Sequence, residues 1–238
     1  MTELIRKEKE RSPAGPKSLV GGVTLFVGLL AVFMLRPGLE DRINTQGVIK
    51  ELASTSTGRA LIADAFFDVS HAGMSHIMYN LILDADIKDT ALIVALAQRE
   101  RQESSPAIRQ RLIDLISDAS TNTALSYSDE INDFLTRAAM DPAPEINQAA
   151  RVRHAWYTAR FSEAPESVLA DYLLDSSAEV RGEVYEILQS PRFKHDNGLD
   201  PELVLALQSL LEADYLRVSP AEQASIQLLL KTSTDSKL

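Results

Sequence analysis

The sequence predicts an all-α protein: antiparallel helical hairpins stacked as a short solenoid, behind one N-terminal transmembrane helix. Three observations predict it. Leu, Ala, Ile, Glu and Arg recur throughout the 238 residues, Gly and Pro number ten each and aromatics make up 6%, a composition that favours helix over strand. Apolar residues recur at the helical period behind a series of capping signals. One stretch, Ser18 to Leu35, has no ionisable side chain and is closed off by Lys17 and Arg36.

That stretch is the first element. At about 1.5 Å per residue it spans roughly 27 Å as a helix, close to the hydrocarbon thickness of a bilayer, where a helix satisfies its own backbone polar groups. Leu19, Val20, Leu25, Phe26, Val27, Leu29, Leu30, Val32, Phe33 and Leu35 supply its apolar bulk. The run is longer than the core of a cleaved signal peptide, and Val32-Phe33-Met34-Leu35-Arg36 offers no small-residue cleavage site, so an uncleaved anchor is predicted. Gly21, Gly22 and Gly28 miss the GxxxG spacing of tight membrane dimers.

Five Lys and Arg precede the anchor, whereas Arg36, Arg42 and Lys50 are the ones in the comparable stretch after it. The positive-inside rule then makes residues 1–17 a cytoplasmic tail and exports the body. This is the arrangement of a single-pass protein of a bacterial inner membrane with a periplasmic domain. Beyond the anchor at 18–35, residues 36–85 read as membrane-proximal helices and 86–238 as the repeat domain. Pro37-Gly38 ends the anchor helix, and amphipathic segments begin almost at once, which keeps the body near the bilayer.

Residues 1–36 hold six Lys and Arg against three Glu, so with −10 overall the remainder carries −13. Such an acidic body argues against nucleic acid as a ligand, because phosphate is held by Lys and Arg. The chain has no Cys, which removes disulfides, thiol catalysis and Cys-containing metal sites.

In the body, segments at 39–54, 59–71 and 74–85 come first, with Ile62/Ala65/Phe66/Val69 and Met74/Ile77/Met78/Leu81/Ile82/Ala85 as their apolar stripes. Capping signals then divide the chain into helices at 87–102, 106–119, 129–140, 143–161, 166–175, 178–189, 201–214 and 220–231. Ser105-Pro106, Asp141-Pro142, Asp200-Pro201 and Ser219-Pro220 each put a cap residue before a Pro suited to the first helical position. Ser176 to Glu179 and Ser219 to Glu222 match the S-x-x-E capping box. Ile131/Phe134/Leu135/Ala138 and Leu203/Leu207/Leu210/Leu211 are predicted core faces.

Three helices begin alike: SPAIRQRLIDLI from Ser105, APEINQAARVRHA from Ala143 and SAEVRGEVYEIL from Ser177. Their equivalent residues Ile108, Ile146 and Val180 are spaced by 38 and 34 residues, within the range of helix-hairpin repeats. Together with L-x-D-x-S-x-E-V-R in Leu173–Arg181 and D-P-A-P-E-I-N in Asp141–Asn147, these fragments resemble the HEAT-like, armadillo-type repeats. Arg109 and Arg181 occupy the position where that family often has a structural Arg, and Asn147 replaces it in the middle repeat. The resemblance covers about residues 86–190. It implies stacked antiparallel hairpins with one continuous core and a surface that holds a partner. Tetratricopeptide-like pairs are the alternative reading of the same hairpins.

No motif of an enzyme is spelled out: G-x-S-x-G, G-x-G-x-x-G, the P-loop and H-E-x-x-H are all missing from the sequence. Asp84-Ala-Asp86-Ile-Lys88-Asp89 opens like a calcium loop, but Asp89 stands where Gly is required and Ala95 where Glu should be, so its carboxylates read as caps of a helix at 87. Among the four histidines, His71 and His76 are five apart and miss the spacing of a helical metal pair, with His154 and His195 elsewhere. No cofactor or metal is predicted.

Two segments point to a partner. Arg153, Tyr157 and Arg160 recur at i, i+4, i+7 on the helix that also carries the only Trp, with Val152, Ala155, Trp156 and Ala159 as the expected core face. Arg and Tyr are enriched in binding hot spots. The ordinary reading of these Arg is pairing with Glu179 and Glu183. Arg192, Phe193 and Lys194 lie in the loop 191–199, which is expected to expose them. The expectation is therefore a membrane-anchored interaction scaffold or adaptor subunit without catalysis of its own, whose partner is another membrane or membrane-associated protein. An enzyme-assisting or lyase-like repeat protein and an envelope chaperone or assembly factor are the alternatives.

Overall fold

The computed structural model describes residues 45–68, 73–87, 89–100, 105–121, 125–193, 198–212 and 218–235. The predicted tail 1–17 and anchor 18–35 lie outside them. Among the described residues there are eleven α-helices and no strand, and none of these helices is long and apolar enough to cross a membrane. They fall into two compact units, one ending at Ile87 and one beginning at Lys88.

The first unit packs α1 (Thr45–Ser54), α2 (Ser56–Phe66) and α3 (Met74–Asp84) against one another. Ile49, Ile62, Phe66, Met78 and Ile82 form its buried centre. The chain turns between α1 and α2 without a loop, because the Thr55 hydroxyl accepts the Gly58 N–H at 3.0 Å and caps α2 at once. The predicted start at 59 is therefore early-shifted to 56. The turn also brings α2 against the end of α1 so closely that a Cβ at Gly58 would stand 2.0 Å from the Leu52 carbonyl oxygen.

The acidic run 84–89 stops one helix and starts the next. Asp86 is left-handed at φ 52, the Asp86 N–H bonds the Leu83 carbonyl at 2.9 Å and the Ile87 N–H reaches back to Ile82 at 3.2 Å, a Schellman ending. Asp89 then accepts the Ala91 N–H at 3.0 Å, so the next helix starts at 90 and not at the predicted 87.

The second unit holds α4 (Thr90–Glu100), α5 (Pro106–Thr121), α6 (Asp129–Ala138), α7 (Pro144–Phe161), α8 (Glu166–Leu173), α9 (Ala178–Gln189), α10 (Pro201–Glu212) and α11 (Pro220–Asp235). They pair as hairpins, α4 with α5, α6 with α7, α8 with α9 and α10 with α11. The second helices of the hairpins form a continuous row, α5 on α7, α7 on α9 and α9 on α11. In the row of first helices, α4 packs on α6 and α8 on α10, whereas α6 and α8 make little or no close backbone approach. This is the stacked order of a helical repeat, and four hairpins share it.

The caps are mostly as the sequence spells them, with two shifts of register. Ser219 and Glu222 form a reciprocal box, at 3.2 Å and 3.0 Å. The cap of α9 is Ser177 rather than Ser176, and α7 begins at Pro144 behind Ala143 because Asp141 instead takes the Ala143 N–H at 2.9 Å. Ile131, Phe134, Leu135 and Ala138 are buried as predicted; in α10, Ala206 is buried in place of Leu211, which is 42% exposed.

Arginines tie each hairpin to the next. Arg109 of α5 meets Asp141 at 2.7 Å, Arg151 of α7 meets Asp175 at 2.6 Å, and Arg181 of α9 meets Glu222 at 2.8 Å. Each acid stands at the start of the following second helix, where the helix dipole favours its charge. Arg181, 1% exposed, also donates to the carbonyls of Asp175 at 2.7 Å and Ser176 at 3.2 Å. Asn147 does the equivalent for the preceding turn, its amide donating to the carbonyls of Ala139 at 2.7 Å and Asp141 at 3.4 Å. The break in the repeat pattern at that position preserves the contact to the turn and drops the charge.

Candidate functional site

The centre of the second unit is α7, which packs against α5, α6, α8 and α9. Contact on four sides explains why its buried residues do not keep to one apolar stripe: Ile146, Ala150, His154, Ala155, Tyr157, Thr158 and Ala159 are all buried. It also overturns the single exposed face expected for Arg153, Tyr157 and Arg160, since each of the three side chains meets a different neighbour. Of the predicted core face, Ala155 and Ala159 are buried, while Val152 and Trp156 are half-buried.

Arg153 is half-buried between α5 and α9. Burial lowers its pKa, opposed by the charges of Glu183 and Asp114. Glu183 also accepts the Trp156 indole N–H at 2.7 Å. The expected pairing of this helix with α9 carboxylates is thus made through Trp156 and through Gln148, which donates to Glu179.

Tyr157 is fully buried and braces the loop before α6, accepting the Ser128 N–H at 2.8 Å. Burial, with the surrounding phenol and carboxylates of Tyr127, Asp129 and Glu130, raises its pKa to about 12 although the Ser128 hydrogen bond opposes this. It therefore stays protonated and serves as a platform. Tyr127, 43% exposed, stacks on it with ring centroids 6.0 Å apart, and Phe161 packs on it at 5.2 Å. Arg160 is exposed and lies over the Phe161 ring at 5.6 Å, and it has no ion-pair partner among the described residues.

The second predicted segment arrives at the same place. Arg192 donates to the carbonyls of Ala159 and Ser162, which are left open at the C-terminus of α7, a position that favours a cation. Phe193, expected to be exposed, is 6% exposed and belongs to the core shared by α7 to α11, so it anchors Arg192 and has no face for a partner. Lys194 lies outside the described residues.

The edge that carries the loops between hairpins thus gathers Tyr127, Arg160, Phe161 and Arg192 into one strip around the end of α7. Sequence reasoning found Arg160 and Arg192 but not Tyr127 or Phe161. Phe161 ends the helix in the fragment ARVRHAWYTARF, and its i, i+4 spacing from Tyr157 was the available signal. Tyr127 sits in a short loop with no periodicity to mark it.

A second polar cluster lies inside. His154 is 5% exposed and both ring nitrogens are engaged, Nδ1 with the Tyr172 hydroxyl of α8 at 2.8 Å and Nε2 with Asn132 Oδ1 of α6 at 3.0 Å. Because Asn132 Oδ1 accepts, Nε2 carries the proton and Nδ1 accepts from Tyr172. Burial lowers the His154 pKa to about 4 and raises that of Tyr172. Of the other histidines, His76 on α3 pairs with the Asn80 amide at 3.2 Å, and His71 and His195 lie outside the described residues. Among the described residues no three His, Asp or Glu side chains gather to hold a metal.

The chain matches no family model, and comparison with curated proteins and with solved structures finds no match either.

Proposed function

We propose that the chain is a scaffold or adaptor subunit of a membrane-associated assembly, held in the bilayer by residues 18–35, with a HEAT-like body that presents the α7 edge strip to a protein partner. The observation that carries this reading is the strip itself. Tyr127 and Arg160 are of the residue types that dominate binding hot spots, Phe161 adds aromatic surface beside them, and the Arg160 guanidinium has no ion-pair partner among the described residues of a body with a strong acidic excess. The buried Tyr157 below and Arg192 across the helix end hold the strip in place, so little side-chain freedom is lost on docking. The short chain between the anchor and the first helix keeps the body near the bilayer, which makes the partner a membrane or membrane-associated protein. Export of the body follows from the charge bias around the anchor.

Photo-crosslinkers placed at 127, 160 and, as a control, at the exposed Gln208, test the reading in intact membranes. A common protein adduct from 127 and 160 but not from 208 is expected. Adducts from none of the three, or equally from all, refute it. Phosphatase and fluorescent-protein fusions at the C-terminus test the topology, and a fluorescent but phosphatase-inactive fusion overturns the exported placement.

A further inference from the structure

The joint between the second hairpin (α6–α7) and the third (α8–α9) differs from its neighbours. Its second helices pack, α7 on α9, as they do along the whole row. Its first helices, α6 and α8, make little or no close approach. What spans the interval is the His154 ring, reaching from α7 between them and bonded to both. The apolar core shows the same division, since one cluster runs from Ala155 and Ala159 through α8 to α11 and includes nothing from α6.

We propose that the Asn132–His154–Tyr172 bridge is an acid-labile latch: with His154 neutral it closes the row between α6 and α8, and protonating the ring opens that row while α7 and α9 stay packed. The chemistry is set by the donors. A second proton on the ring turns Nδ1 from acceptor to donor, so the Tyr172 hydroxyl must turn its hydrogen away and accept, giving up the bond it donates to the neutral ring. The new charge would also stand in a buried site without a carboxylate bonded to it.

The charged groups around α7 act on Tyr172, Tyr157 and Arg153, and none is bonded to the His154 ring. On α8, Tyr172 feels Asp175, Arg151 and Asp171, with Arg151 and Asp175 paired. Toward α6, Asp129 and Glu130 act on Tyr157. On α5 and α9, Asp114 and Glu183 face Arg153. Burial is the cause of the His154 shift, and none of these charges offsets it.

The folded pKa is the depressed one, so the latch holds fully above the ordinary His value and weakens as pH falls from about 6.5 toward about 4. Hydrogen exchange of the full chain in detergent, corrected for intrinsic rates, reads this out helix by helix. With about 6.5 in the open state and about 4 in the closed one, opening should rise roughly 20-fold between pH 7 and pH 5 in 129–138 and 166–173. Helices α10 and α11 should keep their protection. His154→Gln, whose amide both donates and accepts, should remove the pH dependence. An unchanged wild-type profile, an equal loss in α10 and α11, or the same pH response in His154→Gln each overturns the latch. If His154→Gln does not fold, the regional comparison in the wild-type chain alone decides.

Discussion

Removing Glu222 should cost more than removing the arginine it pairs with. Arg181 is 1% exposed, and its Nε and one terminal nitrogen approach the same Glu222 oxygen at 2.9 Å and 2.8 Å. The other Glu222 oxygen takes the Ser219 N–H at 3.0 Å. Glu222→Ala strands the guanidinium in the interior and opens the cap of α11. Breaking a buried pair from one side costs about 3–5 kcal/mol, and the 13% exposure of the Glu222 side chain, which lets water reach the gap, puts the expectation near the lower end, about 3 kcal/mol.

Arg181→Met removes the buried charge and fills its volume, leaving the carbonyls of Asp175 and Ser176 without their donor, for about 2 kcal/mol. At about 2–4 °C per kcal/mol for a domain of this size, Glu222→Ala should melt roughly 6–12 °C below the parent chain. Thermal unfolding of the full chain in detergent measures both variants, and Glu222→Gln on the Arg181→Met background should add little. Burial acts to raise the Glu222 pKa, but the Ser219 N–H and Arg181 outweigh it and the net shift is downward. The pair therefore stabilises above the ordinary carboxylate pKa and is lost as pH falls through the lower folded value. Glu222→Ala within about 1 kcal/mol of the parent, or less destabilising than Arg181→Met, refutes the account.

Gly58→Ala should disrupt the first unit, because the new Cβ would stand 2.0 Å from a backbone oxygen that cannot rotate away; proteolysis between 45 and 67 should quicken while 129–189 stays protected. Gly198→Ala combines a left-handed φ of +80 with a Cβ 2.6 Å from the Ser233 carbonyl oxygen, so the end of α11 should fray and lose exchange protection, with a stability loss of about 2 kcal/mol or more. Asn147→Ala leaves the Ala139 carbonyl without its donor and should cost about 1–2 kcal/mol by denaturant melting, a loss that Asn147→Asp, which cannot donate, should not restore.

Most of the frame was legible because local rules write it. Ser219 and Glu222 announce the start of α11 ahead of its first buried apolar residue, Ile226, and Ile131, Phe134 and Leu135 keep the period of a helix with one buried side. Reading failed where tertiary contact decides. Helix α7 is packed on four sides, so the periodicity that placed Arg153 with Tyr157 and Arg160 had no single core face to report. Phe193 looked like a loop residue because the core it joins comes from α7 to α11 and not from its own segment. The arginine ties were half-legible in the sequence: Arg109 and Arg181 were visible as repeat positions, while Asp141 and Asp175, equivalent at 34 residues, stood in the repeat fragments without being read as ion-pair partners.

The strip and the latch are built on the same two helices, α6 and α7, and this gives the two proposals a common test. Tyr157 carries Tyr127 and Phe161 on its ring, and its hydroxyl holds the Ser128 N–H at the mouth of α6. Asn132, one partner of His154, lies one turn further along α6. If α6 is the helix that swings when this row opens, the loop that bears Tyr127 goes with it, while Phe161 and Arg160 stay with α7. The two aromatic halves of the strip then part. Crosslinking from 127 should therefore fall between pH 7 and pH 5 in the parent chain and persist in His154→Gln, with adducts from 160 less affected. A pH response of the same size in both chains would leave the strip as a docking site and remove the latch from its control.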